Sequence, residues 1–321
     1  MISKAIKVEL RYLNENLNFL KEKGILNRNL KIRKDGNIAY IPVLNEIEGI
    51  ETLEMDFETI EKIKSYREFL NLSKEIIDEL PKSYDIIGDI IIIKLKNDFL
   101  KYSNEIGEAL LKFHKNMKTV ALDLGVQGEL RIRNLKVIAG DGLDTIHKEN
   151  GIRIFVNPGE SYFSPRLASE RMRVLNKVKD GETIIDMFCG VGPFSILIGK
   201  NRNVKIYAID KNEKAIGYLK KSIEINKINN VFPIAGDVKE KIDELPLADR
   251  IIMDLPLYSM NFLDLALKKS KKGGIIHIYV ITENEDEILE QFKTKFNIME
   301  KGIVHGYSPK ENLFYFDLQV K

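Results

Sequence analysis

Four carboxylates stand at the ends of short apolar runs: Asp186 after TII, Asp210 after KIYAI, Asp237 after VFPIAG and Asp254 after RIIM. If each run is a strand of an open α/β sheet, its carboxyl end faces the ligand crevice and the four acids gather there. Beyond Asp186 the chain reads Met187-Phe188-Cys189-Gly190-Val191-Gly192-Pro193. Gly190 and Gly192 let the backbone turn tightly and approach a ligand, and Pro193 suits the first position of the next helix. Asp210, twenty residues after Gly190, suits a ribose diol. Asp237 is placed for an exocyclic adenine amine, and Asp254 and Pro256 for the neighbourhood of a transferred group.

Two adenosine cofactors share this geometry. A dinucleotide site expects a third glycine where Ser195 stands. Asp186 and Asp237 suit the amine and sulfonium of S-adenosyl-L-methionine better than a pyrophosphate. That favours S-adenosylmethionine. A dinucleotide, or plain turns and helix caps with no cofactor, are the alternatives.

The elements that must position these residues follow from the pattern. Leu10, Leu13, Leu17 and Leu20 recur at helical spacing, and a hairpin is expected to turn at Asp35-Gly36. A polar helix is expected over Thr59–Leu80. Strands around Gly88, a helix over NEIGEALLKFHK, a half-buried strand in GELRIRNL and a hairpin turning at Asn150-Gly151 then form a mixed α+β region. From Tyr162 on, apolar runs alternate with helices, which indicates βαβ units and a buried parallel sheet. The last two strands, NIMEKGIVHGYSP and NLFYFDLQV, are expected to close it as an antiparallel hairpin. The expected segments are 1–60, 61–155 and 156–321.

Composition bounds the rest. The chain has 321 residues, 44% hydrophobic and 31% charged, with a net charge of +2. It shows no window apolar enough for a membrane span, and its start lacks a signal-peptide core. Cys189 is the single cysteine, so no internal disulfide is possible and a cytoplasmic setting is expected. One cysteine and four scattered histidines argue against a metal site. Arg166, Arg171, Arg173, Lys177 and Lys179 face only Glu170 over fourteen residues, as phosphate-tracking cations would.

The chain resembles the archaeal and eukaryotic tRNA (guanine(37)-N1)-methyltransferase family. The resemblance rests on Gly128-Glu129-Leu130-Arg131-Ile132-Arg133, on Thr145 to Gly151, and on Tyr162-Phe163-Ser164-Pro165-Arg166-Leu167 followed by Glu170-Arg171. Asp186 to Ser195, Asp254-Leu255-Pro256 and Tyr307-Ser308-Pro309 complete it. It implies a class I, Rossmann-like methyltransferase domain preceded by a small αβ domain that touches the tRNA outer corner. Between them a middle α+β domain helps hold the anticodon loop. The implied reaction is methyl transfer from S-adenosylmethionine to N1 of guanosine 37, by a monomer.

By resemblance Glu170 is the general base and Arg131 stabilises O6. Tyr162, Phe163, Arg166, Asp186, Gly190, Gly192, Asp210, Asp237, Asp254 and Pro256 hold the cofactor. Each has a plainer alternative: Glu170 as a charge near a helix N-terminus, Arg131 and Arg133 as one solvated strand face, Phe163 as core. Many family members read Asn where Asp254 stands. An ionised Asp only accepts, so it is expected to share the base role or to signal a modified base as substrate. The alternatives are therefore a wyosine-pathway transferase, moving methyl or aminocarboxypropyl onto a modified guanine 37, and a non-catalytic tRNA-binding protein with a vestigial methyltransferase domain.

Overall fold

The computed structural model describes residues 1–60, 64–128 and 130–321, which fall into two compact units, Met1–Glu68 and Phe69–Lys321. In the first, β1 (Ile2–Glu9), α1 (Leu13–Glu22), β2 (Arg33–Asp35), β3 (Ile38–Val43) and β4 (Thr52–Asp56) give an antiparallel sheet in the order β2-β3-β1-β4. Leu20 is fully buried against Ile6, Ile41 and Val43, with Leu13 and Leu17 packed alongside, so the leucine stripe is the face turned to the sheet. The β2–β3 hairpin turns at Gly36, whose φ of 54° explains the glycine.

The expected helix over Thr59–Leu80 is not found among the described residues, and residues 61–63 lie outside them. Instead a short 3-10 turn at Tyr66–Phe69 precedes α2 (Lys74–Glu79). The Glu68 carboxylate accepts the N–H groups of Lys64 and Ser65, which starts a turn there, and the extended Ser73 starts the next helix afresh.

In the second unit, β5 (Asp85–Ile87), β6 (Ile90–Ile93), α3 (Ser103–Phe113), β7 (Thr119–Gln127) and β8 (Ile132–Gly140) form a four-stranded sheet in chain order. The hairpin of β9 (Thr145–Glu149) and β10 (Ile152–Val156) turns at Asn150 and Gly151, both at positive φ. It is fastened to the β5–β6 turn. Thr145 accepts the Asp89 N–H at 3.0 Å, and a Cβ on Gly88 would stand 2.0 Å from the Thr145 hydroxyl.

After α4 (Ala168–Leu175) come β11 (Thr183–Asp186), α5 (Pro193–Asn201), β12 (Lys205–Asp210), α6 (Glu213–Asn226), β13 (Val231–Ala235), α7 (Val238–Lys241) and β14 (Ala248–Met253). Then follow α8 (Leu263–Lys269), β15 (Ser270–Thr282), α9 (Glu285–Phe292), β16 (Phe296–Gly306) and β17 (Asn312–Val320). Their seven-stranded sheet runs β13-β12-β11-β14-β15-β17-β16. The first five are parallel and β17 is antiparallel to both neighbours, as the expected closing hairpin requires.

Alternate residues serve opposite faces. Ile184, Ile206 and Ile252 pack into one core with α5 and α6, whereas Ile185, Ile251 and Ile276 pack into the other. Both faces are buried, so the strands are apolar runs rather than alternating ones. No helix among the described residues is long and apolar enough to cross a membrane.

Candidate active site

Asp186, Asp210 and Asp254 end or directly follow parallel strands and lie at one end of the sheet. Between β11 and α5 the loop folds back over β12: Cys189 N–H donates to the Ile209 carbonyl at 2.8 Å, and Gly190 N–H to the Asp210 carboxylate at 2.6 Å. Gly190 and Gly192 have φ of 54° and 75°, and a Cβ on Gly192 would stand 2.3 Å from Leu219 Cδ1. The backbone therefore requires glycine at both positions, and packing requires it at Gly192 as well. The other Asp210 oxygen accepts the Asn212 N–H at 2.8 Å. Asp237 N-caps α7 through the Lys239 N–H at 2.9 Å, so part of its role is the plain cap.

The electrostatics ask for a cation. Asp186 is 1% exposed; one oxygen accepts from Ser195 at 2.7 Å, while the other has no partner among the described residues. Burial pushes its carboxyl up to about 7 against the Ser195 hydrogen bond, with Asp254 and Asp210 adding to the rise. Asp254 is raised to about 6 by burial, opposed by Arg171 and reinforced by Glu170, and Asp210 is raised by burial too. Three crowded acids and an orphaned oxygen fit a positively charged ligand. Cys189 is buried and its thiol is pushed well up, so it is no nucleophile.

Glu170 is on the third turn-forming position of α4, with 6% exposure. Its Oε1 accepts from Arg173 Nη2 at 2.6 Å, Arg173 Nε at 2.9 Å and Tyr279 Oη at 2.7 Å, whereas Oε2 accepts only from Arg173 Nε, at 2.9 Å. Pro165 opens the 3-10 turn that leads into α4, and Ser164 is extended there without a side-chain capping bond.

Arg131 is not on a strand: β8 begins at Ile132, and Arg131 occupies the preceding turn at a φ of 51°. The expectation of Arg131 and Arg133 on one strand face is corrected accordingly. The glycine-initiated turn at Gly128 claims Arg131, through its N–H to the Gly128 carbonyl. Its guanidinium donates to Tyr307 Oη at 2.9 Å, while Arg133 pairs with Asp85 at 2.9 Å. Tyr162 is half exposed, and its hydroxyl is raised first by burial and then by Asp254, against Arg133 and Arg131. Tyr162 thus lies within electrostatic reach of both Arg131 and Asp254, and Asp254 of Glu170. The Pro256 carbonyl accepts the Ile281 N–H, pinning the Leu-Pro turn to β15.

Phe163 is 3% exposed, and its ring lies against His147 and the Arg171 guanidinium, as the core alternative requires. One other expectation is corrected. The basic run does not form a free phosphate-tracking face. Arg171 is 1% exposed and bidentate on Glu149 at 2.6 and 2.7 Å; Arg173 and Lys177 share Asp317; exposed Arg166 pairs with Asp85. Glu149, Asp317 and Asp85 lie outside the fourteen-residue window, so local charge counting missed them. Asp85, Tyr279, His277 and Asp317 were also not singled out. The signal for the last two was a histidine and an aspartate, each set between apolar neighbours in GGIIHIYVI and NLFYFDLQV.

The sheet order, the glycine turn and the acidic strand ends define a class I, Rossmann-like methyltransferase. The description "TRM5/TYW2 methyltransferase domain" matches residues 145–311, "TYW2 N-terminal domain" residues 66–144 and "tRNA methyltransferase 5 N-terminal domain" residues 5–51. The chain belongs to the TRM5/TYW2 methyltransferase family. It is 40% identical to the tRNA (guanine(37)-N(1))-methyltransferase Trm5b of Pyrococcus abyssi over 98% of both chains. With the enzyme of that name from Methanocaldococcus jannaschii it shares 37% identity, again over 98% of both. Among solved structures, a complex of aTrm5 with tRNALeu superposes with a TM-score of 0.77 at 37% identity over 99% of each chain. Wild-type Trm5b from Pyrococcus abyssi gives 0.75 at 39%, also over 99% of each.

Proposed function

We infer that this protein transfers a methyl group from S-adenosyl-L-methionine to N1 of guanosine 37 in tRNA. The observation that carries this reading is the 40% identity to a Trm5b enzyme across 98% of both chains, N-terminal segment included. Bound S-adenosylmethionine supplies a methyl group already activated on a sulfonium. Asp210 accepts from its ribose, Asp237 from its adenine, and the unpaired Asp186 oxygen from its ammonium; Gly190 and Gly192 give it room, with Tyr162 and Pro256 alongside.

Guanine N1 carries a proton and is a poor nucleophile while neutral. Glu170 takes that proton on Oε2, the oxygen with fewer donors, as the N1–methyl bond forms and the sulfur–methyl bond breaks. Arg131 meets the charge that builds on O6. Asp254, whose carboxylate makes no hydrogen bond among the described residues, accepts from the guanine edge. Arg166, exposed and anchored on Asp85, meets phosphate. Segment 1–60 touches the outer corner of the tRNA, while 61–155 and 156–321 hold the anticodon loop. The protein acts as a monomer in the cytoplasm.

The test is nucleoside mass spectrometry after incubation of the protein and S-adenosylmethionine with a tRNA transcript bearing guanosine 37. 1-Methylguanosine is expected. Its absence from a preparation that binds the cofactor would sink the reading. A second reading, methylation of a tricyclic guanine derivative, is favoured by Asp254 and by a relative. That relative is the tRNA 4-demethylwyosine(37)-methyltransferase Taw21 of Saccharolobus solfataricus, 39% identical over 63% of this chain. The same analysis on tRNA carrying 4-demethylwyosine separates the two.

A further inference from the structure

Behind Glu170 runs a continuous chain of charge pairs that the reaction as written does not use. Arg173 hydrogen-bonds two carboxylates, and a third, Glu300, lies 3.8 Å from its Nη1. Its Nε and Nη2 hold Glu170, and its Nη1 and Nη2 hold Asp317 at 2.6 and 3.0 Å. The Tyr315 ring covers the guanidinium face at 3.8 Å. Asp317 is 2% exposed and also receives Lys177 Nζ and His277 Nδ1, each at 2.6 Å. His277 Nε2 faces Arg250 Nη1 at 2.6 Å. A guanidinium only donates, so Nε2 accepts, Nδ1 carries the hydrogen and the buried imidazole is neutral. Glu182 locks Arg250 in turn, with two contacts of 2.7 and 2.9 Å.

We propose that Asp317 is a positioning residue for the proton acceptor: by taking a share of the Arg173 charge, it leaves Glu170 basic enough to accept the guanine N1 proton. This rests on the reading of Glu170 as that acceptor. A buried carboxylate paired with an undivided guanidinium is well satisfied but a weak base. A guanidinium shared with a second anion still orients Glu170 while holding its electrons less tightly. The other groups facing Glu170 are Tyr279, which donates from β15, the Tyr315 ring, and Asp254, on which Glu170 and Arg171 act with opposite signs. Lys177 and Glu300 form a pair on the outer side of Asp317.

The experiment is single-turnover methyl transfer to tRNA against pH, with tRNA and cofactor saturating. Asp317→Asn keeps the side-chain shape and removes the charge. It is expected to slow transfer about 10-fold near neutral pH and to move the acid limb down by about one unit. Lys177→Met, at a half-buried position, removes a cation that competes for Asp317 and is expected to move the limb the other way. Lesions that only loosen the fold move neither limb.

If Asp317→Asn fails to fold, judged by its cofactor-dependent melting shift, Lys177→Met decides alone. Wild-type limbs in the folded variants overturn the proposal while the assigned function stands. A wild-type protein that makes no 1-methylguanosine takes both down together.

Discussion

Asp186 and Asp254 tie cofactor binding to pH. Both carboxyls sit above their unfolded values, at about 7 and about 6, so between about pH 4 and 7 these two groups hold more protons in the folded chain than in the unfolded one. Their contribution to the stability of the unliganded protein is therefore lost as pH rises through that window. A cationic ligand favours the ionised acids, so S-adenosylmethionine affinity is expected to rise several-fold per pH unit over the same range. Calorimetric titration from pH 5 to 8 measures this, and Asp186→Asn should flatten the profile. A wild-type affinity that does not change with pH would refute the assignment of Asp186. For catalysis, Glu170→Gln should lower single-turnover methylation by about 100-fold or more while tRNA affinity changes little. Equal losses in both would make Glu170 a structural partner of Arg173. Arg131→Ala should cost about 100-fold at saturating tRNA, as loss of an oxyanion donor does. Unchanged turnover would remove Arg131 from the mechanism.

At the scale of elements, local chemistry was readable where a turn demanded it. Asp35-Gly36, Asn150-Gly151 and the Gly190–Pro193 loop all turn as their residues require, because the constraint lies in a few consecutive dihedrals. Periodicity misled where local turns captured the backbone: the Glu68 carboxylate broke the expected helix, and the Gly128 carbonyl held Arg131 in a turn before its strand. The loop before α5 gives a direct test. Gly192→Ala places a Cβ 2.3 Å from Leu219 Cδ1 at a φ of 75°, and is expected to cost about 1–3 kcal/mol. Thermal melts with and without S-adenosylmethionine should show a lower midpoint and a smaller ligand shift. A wild-type melt would mean that the loop relaxes freely.

Over the whole molecule, the two compact units have separate cores. Residues 69–321 alone are expected to fold and to keep the cofactor-dependent melting shift. Aggregation or loss of that shift would show that Met1–Glu68 is needed for the second unit to form. The sequence by itself determined the alternation of strands and helices, the glycine turns and the acids at the strand ends, since each depends on neighbours a few residues away. Only the tertiary structure decided which charges are free. Arg171 finds Glu149, and Arg173 finds Asp317 across 144 residues, because the sheet order brings β17 beside β15 and both against α4. Charge neutralisation acts through space, so three cations of a run that looks like a basic surface in the chain are held, once folded, by carboxylates of distant strands.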